Sequence, residues 1–409
     1  QDALGSPLVN PTITWASDNP SVASVSGSGI VTAINLGQSS IIVQAGTISI
    51  ASAISVSHWD QLKPGYKMTC GIRTSDEVFC WGNNEYGQVG DGTSEQRNTP
   101  TPIDGGLLMK QINGGFQHTC LISVAGTIKC WGRSNFGQLG DGSTTQRRAP
   151  VRVQNLTNVA LVAAGRDHTC ALQADGKTWC WGENGFGQLG NRNRVDQIAP
   201  GEVLGLASSI NIAPGSDHTC GVGSTGQVAC WGRATSGQLG DGVPGQGSRD
   251  SAGVVVGLTG VVQASSGIDH TCVANTQGQV ACWGAGSMGQ LGSGDAANQS
   301  RPFAVLAAGT VTHLNAGAFH TMVVTTTGQV RCWGRNSAGQ CGQGNTAIRI
   351  LAPVPVGGVE GVVEVAGGGE HSCSRDDQGQ VHCWGRNQVG QLGLDDNQDR
   401  TRPEALSPF

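Results

Sequence analysis

The sequence predicts an all-β chain, a seven-bladed β-propeller of four-stranded antiparallel blades. Three observations predict it. The tripeptide Cys-Trp-Gly recurs with its Trp at Trp81, Trp131, Trp181, Trp231, Trp283, Trp333 and Trp384, seven copies spaced 50 to 52 residues apart, and a fixed period of this size marks stacked or radially arranged units. The chain of 409 residues holds 65 glycines and 15 prolines, which favours short strands between turns over helices. Only 13% of residues are charged, well below the usual quarter or so, so little of each repeat is free to be a solvated helix face.

Each repeat divides into strands. Residues 150–184 read PVRVQNLTNVALVAAGRDHTCALQADGKTWCWGEN. They give a short strand after Pro150, an apolar strand at 159–163, a third at 168–172, a turn at 174–176 and a fourth at 178–181, as in an antiparallel meander. Four strands repeated seven times make seven blades. The innermost strand of the first repeat falls near Trp59 to Leu62 and the outermost of the last near Glu404 to Leu406. No strand is therefore exchanged across the seam, and ring closure rests on face packing between the first and last blades.

Cysteine spacing is the strongest chemical signal. Cys70 and Cys80, Cys120 and Cys130, Cys170 and Cys180, Cys220 and Cys230, Cys272 and Cys282, and Cys373 and Cys383 each sit ten residues apart. In a hairpin centred between them, such residues face one another at a separation suited to a disulfide. Zinc sites favour pairs two to four apart gathered in one place, whereas these pairs fall on different blades. The sixth repeat departs twice: Met322 stands where the first cysteine belongs, and Cys341 stands where other repeats have Leu or Val. Cys332 with Cys341 would compensate as a seventh disulfide; two buried free thiols or a reactive site are the alternatives. Disulfides persist in oxidising compartments, which places the protein outside the cell, in a periplasm or on a cell surface.

The units GxxHTC, CWG and GQLGDG resemble the repeats of the regulator of chromosome condensation family, in the cysteine-bearing form found in bacterial extracellular proteins. The resemblance covers residue 59 to about residue 406 and implies the same seven-bladed propeller. The stretch TITWASDNPSVASVSGSGIVTAINLGQSSIIVQAG resembles a bacterial Ig-like domain of group 2. It implies a spacer or adhesion unit that begins inside the domain, hence a small partial β-sandwich. The expected division is residues 1–57 for the Ig-like part and 58–409 for the propeller. The chain opens on Gln1 without a signal-peptide pattern and reads as a mature product or a fragment of a longer modular protein or assembly.

Function classes narrow by exclusion. A net charge of −5 gives no basic stripe for a phosphate backbone, so no nucleic-acid partner is expected, and no apolar run is long enough to span a membrane. His118, His168, His218, His270, His320 and His371 recur before Thr or Ser. A ring of imidazoles could bind metal, but residues repeated at one position in nearly every blade read as blade-building groups bonded to neighbouring backbone. Asp91, Asp141 and Asp241 read as turn residues, and Arg97, Arg147 and Arg400 as ties between loop and blade. The run Asp395, Asp396, Asn397, Asp399 lacks the glycine and terminal Glu of a calcium loop. No catalytic constellation emerges, and neither an enzyme nor a cofactor is expected.

What varies between repeats lies on the face that carries the turns between first and second strands and the long loops between third and fourth. Tyr66 and Phe116 occupy such turns, and Tyr86, Phe136 and Phe186 stand just before the Gly-Gln of the first three repeats. Later repeats have Ser236, Met288, Ala338 and Val389 there, while Phe319 sits apart in a sixth-repeat turn. These five aromatics are the candidate binding residues, since clustered aromatics anchor protein contacts and stack on sugars; the alternative is that those before Gly-Gln point inward and plug the loop. The expected function is non-catalytic recognition of a protein or cell-envelope component through one propeller face. A structural subunit of a surface assembly, a propeller-type protein inhibitor and a glycan-binding protein are the alternatives.

Overall fold

The computed structural model describes residues 12–34, 37–103, 109–206, 208–243, 245 and 247–406. The chain divides into two units, with Trp59–Leu406 as the larger. In this unit the described residues form seven four-stranded antiparallel sheets, each from four consecutive strands. The first blade runs Trp59–Pro64, Met68–Arg73, Val78–Gly82 and Arg97–Pro102; the seventh runs Val362–Gly367, His371–Asp376, Val381–Gly385 and Arg400–Ala405. The short strand expected after Pro150 is Arg147–Arg152, the outermost strand of the second blade.

Within a blade, the second and third strands carry the recurrent wording of the repeat. Cys120 stands directly opposite Cys130 and Thr119 opposite Trp131, which puts the disulfide and the indole on opposite faces of one hairpin. All six ten-residue pairs are bonded, and Cys332 is bonded to Cys341. Met322 occupies the place opposite Cys332, so blade 6 ties its third strand to the following loop instead of to its second strand.

The core lies between blades. The disulfide of one blade packs with the indole of the next: Cys120 and Cys130 share a cluster with Leu139, Val162 and Trp181. The seam repeats the arrangement, with Cys373, Cys383, Leu392 and Leu406 against Trp59, Leu62 and Trp81. All seven of the Cys-Trp-Gly indoles are fully buried. Each donates Nε1–H to a glutamine carbonyl of the preceding blade: Trp181 to Gln138 at 2.9 Å, and Trp81 across the seam to Gln391 at 3.1 Å. No strand is exchanged among the described residues, and the last interface uses the same apolar packing and indole hydrogen bond as the others.

In the smaller unit the described residues form a three-stranded sheet, ordered Ile13–Ser17, Gly37–Ala45, Ile48–Val56, and a two-stranded sheet of Ala23–Val25 and Val31–Ala33. Val22, Ala23 and Ile41 are buried apolar side chains of this unit.

Candidate functional site

The recurrent histidines fall inside the wall, not in a site. His118 Nε2 lies 2.8 Å from Thr169 Oγ1, and the same contact runs from His168 to Thr219, His218 to Thr271, His270 to Thr321, His320 to Ser372 and His371 to Thr69. The partner is thus a hydroxyl of the next blade, where the sequence predicted backbone. The Thr169 hydroxyl donates to the Gln138 carbonyl, so it accepts from the ring, which fixes the neutral tautomer with hydrogen on Nε2. Nδ1 of all six rings is buried without a hydrogen-bond partner. Burial pulls His118, His168, His270 and His371 down to about 3, and His218 and His320 to about 4.

The long loops are held by their own side chains. Asp91 accepts from Thr93 N–H and pairs with Arg97 at 2.6 Å; Asp141 does the same with Ser143 and Arg147, and Asp241 with Val243 and Arg249. In the acidic run, Asp396 pairs with Arg400, and Asp399 accepts from Asn387 N–H. Among the described residues no group of three or more His, Cys, Asp or Glu is placed to hold a metal ion.

The aromatic residues occupy the loop face. Tyr66 N–H donates to the Gly115 carbonyl and Phe116 N–H to that of Gly165, so each turn is tethered to the next one round the ring. This brings the Tyr66 and Phe116 rings into a stack with centroids 3.8 Å apart and an interplanar angle of 12°. One residue before each Gly-Gln, the backbone N–H of Tyr86, Phe136 and Phe186 donates to the side-chain oxygen of Gln88, Gln138 and Gln188. That bond pins the backbone and leaves the ring half-buried at the surface.

Arginines following Cys-Trp-Gly complete the face. The Arg133 guanidinium lies 5.6 Å from the Tyr86 ring centroid and 5.9 Å from that of Phe136, within cation–π range of both, and donates to Gln117 Oε1 at 2.8 Å. Arg233 lies 5.3 Å from Phe186. Tyr66, Lys67, Phe116, Arg133, Phe136 and Asp167 line a cleft of about 410 Å³. Of the predicted residues, Tyr66, Phe116 and Phe136 therefore meet at one cleft. Tyr86 joins them through Arg133, and Phe186 sits one blade farther on. The arginine partners were missed in the sequence; the signal was the residue after each Cys-Trp-Gly, which changes from Asn83 to Arg133, Glu183 and Arg233.

Arg166 lines the same cleft and reaches Asp167 at 3.0 Å, Asp217 at 3.4 Å and Glu183 at 3.7 Å, joining blades 3 and 4. Burial raises Glu183 to about 7; Arg166 opposes the shift, and Asp167, Asp217 and Asp196 add to it. The face thus combines half-buried aromatic rings, cations held over them and, in Glu183, a carboxyl that burial raises to about 7.

The family model described as the regulator of chromosome condensation (RCC1) repeat matches residues 75–122, 126–172, 175–222, 277–324, 327–374 and 378–409. That for the bacterial Ig-like domain (group 2) matches 5–53. The ultraviolet-B receptor UVR8 of Arabidopsis thaliana is 30% identical over 154 residues, 36% of this chain and 35% of that protein. The chain thus spans about a third of the length of this relative. Human WBSCR16 superposes with a TM-score of 0.71 at 22% identity, covering 80% of this chain and 90% of that one. Yeast RCC1 (Prp20), solved with Kap60, gives 0.72 at 21%, covering 86% and 84%; at such identities the likeness is one of fold. With six matched repeats over more than half its length, this chain belongs to the RCC1 repeat family and carries a bacterial group 2 Ig-like domain at its N-terminal end.

Proposed function

We propose that the protein is a non-catalytic recognition module, acting outside the cytoplasm, which binds a protein or cell-envelope component through the loop face of blades 1 to 3. The observation that carries this reading is the half-buried aromatic sector, with Tyr66 stacked on Phe116 and Arg133 held over Tyr86 and Phe136. Aromatic and arginine side chains supply most of the energy of many protein interfaces, and a backbone already fixed by hydrogen bonds, as at Tyr86, Phe136 and Phe186, has less freedom to lose on binding. Seven disulfides support an oxidising location. The non-catalytic part of the reading is supported by the six recurrent histidines, which are committed to inter-blade hydrogen bonds.

The test is affinity capture from the native envelope and secreted fractions. The intact protein is compared with a Tyr86→Ala, Phe136→Ala, Phe186→Ala variant whose fold is verified. A partner retained by the first and lost by the second supports the assignment. Equal capture by both overturns it. A structural role in a surface assembly is the second reading, favoured by the outer edge of the Ile48–Val56 strand, which meets no further strand among the described residues.

A further inference from the structure

We propose that two copies of this chain pair through the strand Ile48–Val56, antiparallel and centred on Ser52. The strand ends the three-stranded sheet: one side bonds to Gly37–Ala45, and the other meets no strand among the described residues. Protein edges are normally blunted by charge, proline, bulges or brevity. This edge, ISIASAISV, has nine residues, no charge and no proline, and its register with Gly37–Ala45 is unbroken.

At this edge the face is exposed as well. Ile48, Ile50 and Ile54 stand opposite Ala45, Val43 and Ser39, and Val43 stands opposite Trp15. They therefore share the face of the sheet that contains buried Ile41. That apolar face runs out to the edge, where Ile48 and Ile50 are each 67% exposed.

The sequence selects the occupant. Read outward from Ser52, the strand gives Ala51 and Ala53, Ile50 and Ile54, Ser49 and Ser55, Ile48 and Val56, a near-palindrome. In an antiparallel pair with a twofold axis at Ser52, each residue faces its mirror position on the other copy. Isoleucine then meets isoleucine, alanine meets alanine, and both apolar faces lie on the same side of one six-stranded sheet. A one-residue slip would put the two apolar faces on opposite sides. A twofold interface requires such a self-complementary patch, and a strand meeting an unrelated partner has no reason to mirror itself.

The test uses the full chain. Sedimentation equilibrium should show a dimer, and Ser52→Lys, which sets two like charges against each other on the axis, should leave monomer. Ser52→Cys should form an intermolecular disulfide on oxidation, because the two Ser52 positions oppose one another, whereas Ala51→Cys should form far less. Peptide mapping of the seven native disulfides verifies that each variant is folded. The proposal is overturned by an intact protein that is monomeric with no Ser52→Cys cross-link, or by a dimer that Ser52→Lys leaves unchanged.

Discussion

His371 Nε2 in the seventh blade lies 2.9 Å from Thr69 Oγ1 in the first, and this contact carries across the seam a belt that runs blade to blade from His118 onward; between blades 1 and 2 Met68 takes the place of the histidine, its Sδ accepting from the Thr119 hydroxyl at 3.3 Å. Thr69 passes the bond on to the Gln391 carbonyl at 2.8 Å, which also accepts from Trp81. Thr69→Val would leave the His371 N–H buried without an acceptor, at a cost of about 1–3 kcal/mol. Thr169→Val, which breaks the equivalent bond from His118, should cost the same. Urea unfolding checks both, with a lowered midpoint and unchanged slope expected; an unaffected Thr69→Val variant would mean that the belt does not hold the seam.

The same belt makes the fold acid-sensitive. Its six histidines titrate near 3 to 4 in the folded protein and near 6.5 when unfolded. Their folded values are depressed, so between these limits the unfolded chain binds more protons and stability rises with pH. The contribution is fully present above about pH 6.5 and is lost as the pH falls toward 3, at up to about 1.4 kcal/mol per unit for each histidine. Melting temperature should therefore drop steeply from about pH 6.5 to about 4.5. Replacing His118 by Gln, which keeps a donor and does not titrate, should flatten that slope; a slope the substitution leaves unchanged would show that other groups govern acid unfolding.

Much of the fold was legible because the repeat writes local chemistry. Cys120 and Cys130 face one another within a single hairpin, so their pairing is written in the spacing, whereas the departures at Met322 and Cys341 left a Cys332–Cys341 bond beside two free thiols or a reactive site until the structure showed the bond. Contacts between blades left no such trace. The partner of His118 lies 51 residues away, and Thr169 looks like any other threonine until the ring is assembled. The candidate face was half legible for the same reason. Tyr66 and Phe116 stood out as aromatics in equivalent turns, but Arg133 acquires meaning only when the second blade sets it over rings from two different loops.

Blade 6 tests whether its disulfide compensates for Met322. Met322 stands opposite Cys332 in the register that the other blades use for their bridges. Met322→Cys with Cys341→Leu should restore the cross-strand bridge, seen by peptide mapping as a disulfide from position 322 to Cys332. It should do so without loss of stability, since Leu fills that loop position in blade 2 as Leu139. Cys341→Ser alone opens the loop between Cys332 and Cys341 and should cost about 2–3 kcal/mol. A double variant as unstable as the single one would show that Cys341 has a role which leucine cannot fill.

The glycine loops separate a backbone requirement from a packing requirement. Gly140 and Gly92 both have positive φ, +67° and +82°, and alanine in that region costs about 1–2 kcal/mol at either. A Cβ at Gly140 would come within 2.7 Å of Trp181 Nε1, the atom that donates to Gln138, while a Cβ at Gly92 meets nothing within 4 Å. Gly140→Ala must therefore also displace the indole, adding about 1–3 kcal/mol for the forced shift. Thermal unfolding should rank Gly140→Ala well below Gly92→Ala, and Trp fluorescence should shift only in the former. Equal losses would mean that the indole moves aside freely and that the blade interface is looser than its complete burial implies.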